Sequence, residues 1–198
     1  MAVLALVLVT VFGLMTDPQV RGSSELASGV MWLAFVFAGL LAVERAFASE
    51  KDSRTLPGLL VAPIPRQTVF TAKCLSSVTL LLVVQAFTVP IALALFEFSL
   101  SGPPLPLLAV LLLGDAALVI LGTLTSAMVA PTRACGPLLA VLVLPLLIPV
   151  LLVTTACTGE LAAIGWTDRA GHLLLLLVVF DAVFGAAAYL LFPYVIES

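Results

Sequence analysis

The feature that most constrains this chain is a recurrence of apolar runs close to the length that crosses a lipid bilayer. An α-helix rises about 1.5 Å per residue, so a hydrocarbon core of roughly 30 Å takes about 20 mainly apolar residues. Six such runs divide the 198 residues: 1–15, 26–48, 68–96, 105–130, 136–157 and 171–196. The breaks carry helix-ending and charged residues, at Asp17-Pro18, Gly102-Pro103-Pro104, Pro131-Thr132-Arg133 and Thr158-Gly159-Glu160. Pro and Gly end helices, and the charges hold the turns in headgroups or water. Lipid offers no partner to a backbone amide, so segments of this length satisfy themselves as helices. The expectation is an all-α membrane protein, with residues 1–198 forming one transmembrane domain of six helices. Only 10% of the residues are charged, against roughly 25% in soluble domains.

Net charge is −3, and nothing resembles a basic nucleic-acid surface or a polybasic tail. Placement of the cations is more informative, because cytoplasmic loops of membrane proteins are enriched in Lys and Arg. Arg45, Lys51, Arg54, Arg66, Lys73 and Arg133 fall on one side of the predicted spans; Arg21 and Arg169 fall on the other, among Asp17, Glu25, Glu97, Glu160 and Asp168. The richer side is read as cytoplasmic, which puts both termini there. The first run lacks the basic lead and small-residue cleavage site of a signal peptide. It is also short, about 22 Å of helix. It is either a tilted short span or one whose natural start lies upstream, and the second is the expectation.

Catalytic signatures are missing from the pattern. The chain has no Walker motif, HExxH or GxSxG, so a non-enzymatic subunit binding no metal or cofactor of its own is expected. Cys74, Cys135 and Cys157 form no CxxC pair, and His172 is the one histidine. Cys135 and Cys157 would lie about 33 Å apart on one helix, which excludes a disulfide between them. All three read as small apolar membrane residues, and His172 as a hydrogen-bonded residue at the mouth of the last span.

Three features could carry function. The segment 44–66, ERAFASEKDSRTLPGLLVAPIPR, is the one long connection. Its first part carries both charge signs; its second holds Leu56, Leu59, Leu60 and Val61 at helical spacing. Pro57 suits a first helical turn, and Pro63 and Pro65 would stop the helix. A short amphipathic helix here could lie on the membrane or in a groove of another protein, while a solvated connector remains the plainer reading. Glu44 and Arg45 read as interfacial anchors at a helix end. Asp115 and Asp181 lie about ten residues into their spans with no intramembrane cation to pair with. A carboxyl at that depth suggests an ion site or a polar path lining; the structural alternative is an acid bonded to a neighbouring helix or a second copy. Pro137, Pro145 and Pro149 recur in the fifth span, with Pro90 in the third. Each interior proline removes a backbone hydrogen bond and bends its helix, which neighbours in a membrane bundle can tolerate.

Three segments, in order and spacing, resemble the CcmB family, the permease subunit of the cytochrome c maturation ABC system. The first is Gly29-Val30-Met31-Trp32-Leu33-Ala34 with Leu41-Ala42-Val43-Glu44-Arg45-Ala46-Phe47. The second is Leu59-Leu60-Val61-Ala62-Pro63-Ile64-Pro65, followed by Ala72-Lys73. The third is Val143-Leu144-Pro145-Leu146-Leu147-Ile148-Pro149, preceded by the basic turn at Arg133. The resemblance covers about Glu25 to Glu160.

It implies an ABC-2-type permease architecture in a bacterial inner membrane, with Glu44, Arg45, Arg54, Leu56, Leu59, Leu60, Pro63 and Pro65 forming a coupling element. It implies a CcmA-like ATPase that binds the ATP, a second permease copy, CcmC-like and CcmD-like haem-handling subunits and a CcmE-like haem chaperone. Haem is the implied cargo, or else release of the loaded chaperone is the implied task. Where the family tends to have an acid in the coupling segment, this chain reads Arg54-Thr55-Leu56-Pro57. Asp115 falls where relatives are expected to be uncharged, so no substrate role is carried onto it. An ABC permease for another small molecule or lipid shares these features. An ion-coupled carrier using Asp115 and Asp181 is the alternative of a different class.

Overall fold

A computed structural model describes residues 1–17, 22–52, 66–96, 104–129 and 135–197. Within them the chain forms six helices: α1 (Ala2–Met15), α2 (Ser24–Asp52), α3 (Arg66–Leu95), α4 (Pro104–Val129), α5 (Cys135–Ala163) and α6 (Asp168–Glu197). Five are long and apolar enough to cross a membrane; α1 is the shorter apolar helix. Its 14 residues cover about 21 Å.

The helix ends follow local chemistry. Ser23 Oγ accepts the Leu26 N–H at 3.4 Å and opens α2. At the end of α1 the Phe12 carbonyl accepts both the Thr16 N–H at 3.0 Å and the Thr16 Oγ1 hydroxyl at 2.7 Å. Two expected boundaries move. Helix α2 continues through Glu44 and Arg45 to Asp52, so the charged first part of the 44–66 segment is helix rather than loop. Helix α5 passes the Thr158-Gly159-Glu160 break and ends at Ala163. Gly159 does not stop the helix; it lets α2 close in, since a Cβ there would lie 3.3 Å from Ser28 Oγ. The actual stop is Gly165, whose φ of 92° is a left-handed conformation that glycine adopts without steric cost.

Long-range contacts fix the crossing directions. Gly13 near the end of α1 meets Leu95 near the end of α3, and Trp32 near the start of α2 reaches Thr158 near the end of α5. The helices therefore alternate in direction, and residues 1, 52, 66, 129, 135 and 197 gather at one end of the bundle. Helix α2 packs on α1, α3, α4 and α5, and α4 on α2, α3, α5 and α6. The most apolar stretches of α2 and α4 are 67% and 61% buried, those of α3 and α5 each 28%, and that of α6 11%. Two central helices thus carry the core, with Trp32, Phe35 and Leu118 among its fully buried large side chains.

Candidate functional site

The described core holds a set of polar side chains where α2, α3, α4 and α5 meet. Asp115 of α4 is fully buried, and Gln85 of α3 nearly so. Gln85 Nε2 donates to Asp115 Oδ1 at 2.8 Å. Gln85 Oε1 and Asp115 Oδ2 have no hydrogen-bond partner among the described residues. One proton on Asp115 would let the two groups close as an acid–amide pair, because a carboxylic acid supplies the O–H donor that the remaining amide oxygen lacks. A half-satisfied polar pair in a dry interior is costly, and a satisfied one fixes helix register.

One residue earlier on α4, Gly114 leaves room for Trp32. A Cβ on Gly114 would fall inside the Trp32 ring and 3.1 Å from Thr154 Cγ2. Trp32 Nε1 donates to Thr158 Oγ1 at 3.0 Å, which gives the buried indole its required acceptor. Phe35 packs edge-on against the indole, with ring centroids 5.8 Å apart. Toward the other end of the bundle, Thr123 and Ser126 of α4 and Ser77 and Lys73 of α3 are also buried. Thr125 Oγ1 donates back to the Leu121 carbonyl at 2.7 Å, a bond that spares the membrane helix an open hydroxyl.

The structure distributes the sequence-derived candidates unevenly. Asp115 is bonded to a neighbouring helix, through an amide rather than a cation. Asp181 on α6 is half-buried, and both carboxyl oxygens are shielded without a hydrogen-bond partner among the described residues. Pro145 and Pro149 lie inside α5 on its exposed side, so they shape the helix without filling the core. Glu44 is half-buried and Arg45 exposed; they lie inside α2, which runs on to Asp52, and not at a helix end as expected. Arg54, Leu56, Leu59, Leu60, Pro63 and Pro65 lie outside the described residues. Cys74 and Cys157 are free thiols. His172 is exposed, its Nδ1 donating to the Asp168 carbonyl at 2.7 Å.

Sequence reasoning missed Gln85 and the Trp32–Thr158 bond. Gln85 was visible as an amide inside the run TLLLVVQAFTV. The Trp32–Thr158 contact joins residues 126 positions apart, and no local pattern reports it.

The family described as CcmB protein matches residues 1–196. The chain belongs to the CcmB family. Heme exporter protein B of Rhodobacter capsulatus is 35% identical over 150 residues, 74% of this chain and 67% of that protein. The namesake of Paracoccus denitrificans is 34% identical over 136 residues, 68% of this chain and 62% of its own length. That of Pseudomonas aeruginosa is 29% identical over 196 residues, 97% of this chain and 82% of its own length. The chain thus spans about two thirds of the first two relatives. Two of the three CcmB-like segments fall on described helices, 29–34 with 41–47 on α2 and 143–149 on α5. The Trp32 that organises the core belongs to the first.

Proposed function

We propose that this multi-pass membrane protein is the permease subunit of an ABC transporter acting in haem export for c-type cytochrome biogenesis. The carrying observation is the CcmB family match over residues 1–196 on a bundle of helices long enough to span a membrane. Relatives named heme exporter protein B support haem as the cargo class. In this reading the end of the bundle where α3 begins, with Arg66 and Lys73, faces the cytoplasm of a bacterial inner membrane. The 44–66 segment meets a CcmA-like ATPase, which binds and hydrolyses the ATP. A second permease copy, CcmC-like and CcmD-like subunits and a CcmE-like haem chaperone complete the assembly.

Deleting the gene tests the reading. c-Type cytochromes should disappear from haem-stained membranes, and haem-loaded chaperone should accumulate on the complex when the ATPase is inactive. Intact c-type cytochromes in the deletion strain would overturn the assignment and leave a permease for another molecule. Leu56→Asp or Leu59→Asp should abolish co-purification of the ATPase while the helical content stays unchanged. Unaltered complex formation would remove the coupling role of the segment.

A further inference from the structure

At the end of the bundle opposite the 44–66 segment lies a cavity that the interior polar contacts do not use. It sits between the start of α2 and the end of α5, has a volume of about 420 Å³, and is lined by Glu25, Ser24, Arg169, Glu160, Leu152 and Ile164 with their small neighbours. Its lining changes character along its length. At the helix ends it is charged with both signs. Deeper, it is apolar and faces outward along Leu152, which is 66% exposed, and Ala156. Ile164, 70% exposed, lies at the rim just past the end of α5, twelve residues or about 18 Å of helix from Leu152. Trp166, beside the rim, is itself exposed, and tryptophan prefers the membrane–water interface.

The charges are arranged, not merely present. Glu160 is held twice: Thr167 Oγ1 donates to its Oε1 at 2.7 Å, and Arg169 Nε lies 3.4 Å from its Oε2. The same Thr167 oxygen accepts the Ala170 N–H at 3.1 Å and opens α6. Arg169 thus spends one N–H on Glu160. Its side chain is 74% exposed, leaving a guanidinium whose other donors are free to meet an anion. Across the cavity, the Glu25 carboxylate is exposed and has no hydrogen bond or ion pair among the described residues.

We infer that this cavity binds a zwitterionic phospholipid with a primary ammonium headgroup, its phosphate on Arg169, its ammonium on Glu25 and an acyl chain along Leu152 and Ala156. An anionic headgroup would leave Glu25 facing like charge. A choline headgroup carries no N–H to give the carboxylate. An ammonium satisfies both the charge and the hydrogen bonds, and the apolar wall beneath takes hydrocarbon.

The test counts lipids retained by the full chain in nanodiscs of equimolar phosphatidylethanolamine, phosphatidylcholine and phosphatidylglycerol, using native mass spectrometry. An exposed ion pair of this kind supports a preference of about fivefold, so phosphatidylethanolamine should exceed each of the others by about that factor. Glu25→Gln should erase the excess of phosphatidylethanolamine over phosphatidylcholine and raise retention of phosphatidylglycerol, which no longer meets like charge. Arg169→Gln should weaken retention of both phosphatidylethanolamine and phosphatidylglycerol. Ala156→Phe should displace lipid by filling the cavity; if that variant fails to fold, the exposed Glu25→Gln change still decides the matter. Equal retention of the three lipids, or an undiminished preference in Glu25→Gln, overturns the inference.

Discussion

Helices α4 and α6 are matched in almost everything that a sequence displays. Each has a mean hydropathy of 2.4 over its most apolar stretch, and each carries one aspartate deep in its span, Asp115 and Asp181. They lie side by side and parallel: Gly185 faces Ile120, and Phe192 clusters with Ala127. That register puts Asp181 within about one residue of the level of Asp115. Yet the stretch of α4 is 61% buried and that of α6 11%. Asp115 is tied to Gln85 at 2.8 Å, whereas both Asp181 oxygens lack a hydrogen-bond partner among the described residues. The difference teaches that depth alone does not set what an intramembrane carboxyl does. The neighbours set it, and on α4 they include an amide that turns a costly group into a cross-link.

The largest break in this comparison should come from the backbone beneath the carboxyls. Gly114→Ala drives a methyl into the Trp32 ring and against Thr154, whereas Gly185→Ala meets Ile120 Cδ1 at an ordinary 3.5 Å. Overpacking a filled core costs about 1–3 kcal/mol, and Gly→Ala in an unobstructed helix gains up to about 1 kcal/mol. Gly114→Ala should therefore lose its monodisperse peak at a clearly lower temperature in thermal size-exclusion assays, while Gly185→Ala should match or exceed the parent. Equal behaviour would mean that α4 and α6 are not packed as differently as described.

A smaller effect is expected at the carboxyls themselves. Asp115→Leu strands the Gln85 amide, and interhelical hydrogen bonds in membranes average about 0.6 kcal/mol with a ceiling near 1.7. Asp181→Leu removes a group that has no hydrogen bond to lose, so it should be neutral or stabilising. The same thermal assay reads both, and a stabilised Asp115→Leu would contradict the cross-link. Gln85→Leu combined with Asp115→Leu should cost less than the two single changes together, because each already removes the same bond.

These outcomes also mark what the sequence could and could not disclose. The helix count and order follow from the apolar runs, because lipid leaves a backbone of that length no other way to satisfy itself. Burial does not follow, since a lipid-facing leucine and a core leucine solve the same solvation problem. Leu107 and Leu105 sit two positions apart on α4, one buried and one 73% exposed. The Thr158-Gly159-Glu160 break looked like a loop because Gly, Thr and Glu favour turns in water; within the bundle the glycine serves the approach of α2 instead. Gln85 was legible as an oddity in an apolar run, but its partner was not, since the pairing depends on how α3 lies against α4. The cavity at Glu25 and Arg169 needed the fold outright, as its two charges come from helices far apart in sequence.

The smallest expected effect is the one that separates function classes. Asparagine keeps the shape of aspartate, retains the carbonyl that Gln85 Nε2 donates to, and adds an N–H that can meet Gln85 Oε1. Asp115→Asn therefore preserves the cross-link without a titratable proton, and Asp181→Asn removes the other titratable group at the same depth. A carrier that moves ions or protons through these two carboxyls would stop when both are asparagine, because no exchangeable charge would remain among them. In the proposed reading, a permease driven by a separate ATPase draws its work from the opposite ends of these helices, where α3 starts at Arg66 and α4 ends at Val129, about 20–30 Å of helix from the Gln85–Asp115 pair. In a strain carrying both substitutions, c-type cytochrome content should stay within about twofold of the parent, the change expected from a shift of about 0.4 kcal/mol. A collapse of cytochrome content with the protein still folded and inserted would show that the matched aspartates of α4 and α6 act as a working pair, and that the contrast in their hydrogen bonding is one stage of a cycle.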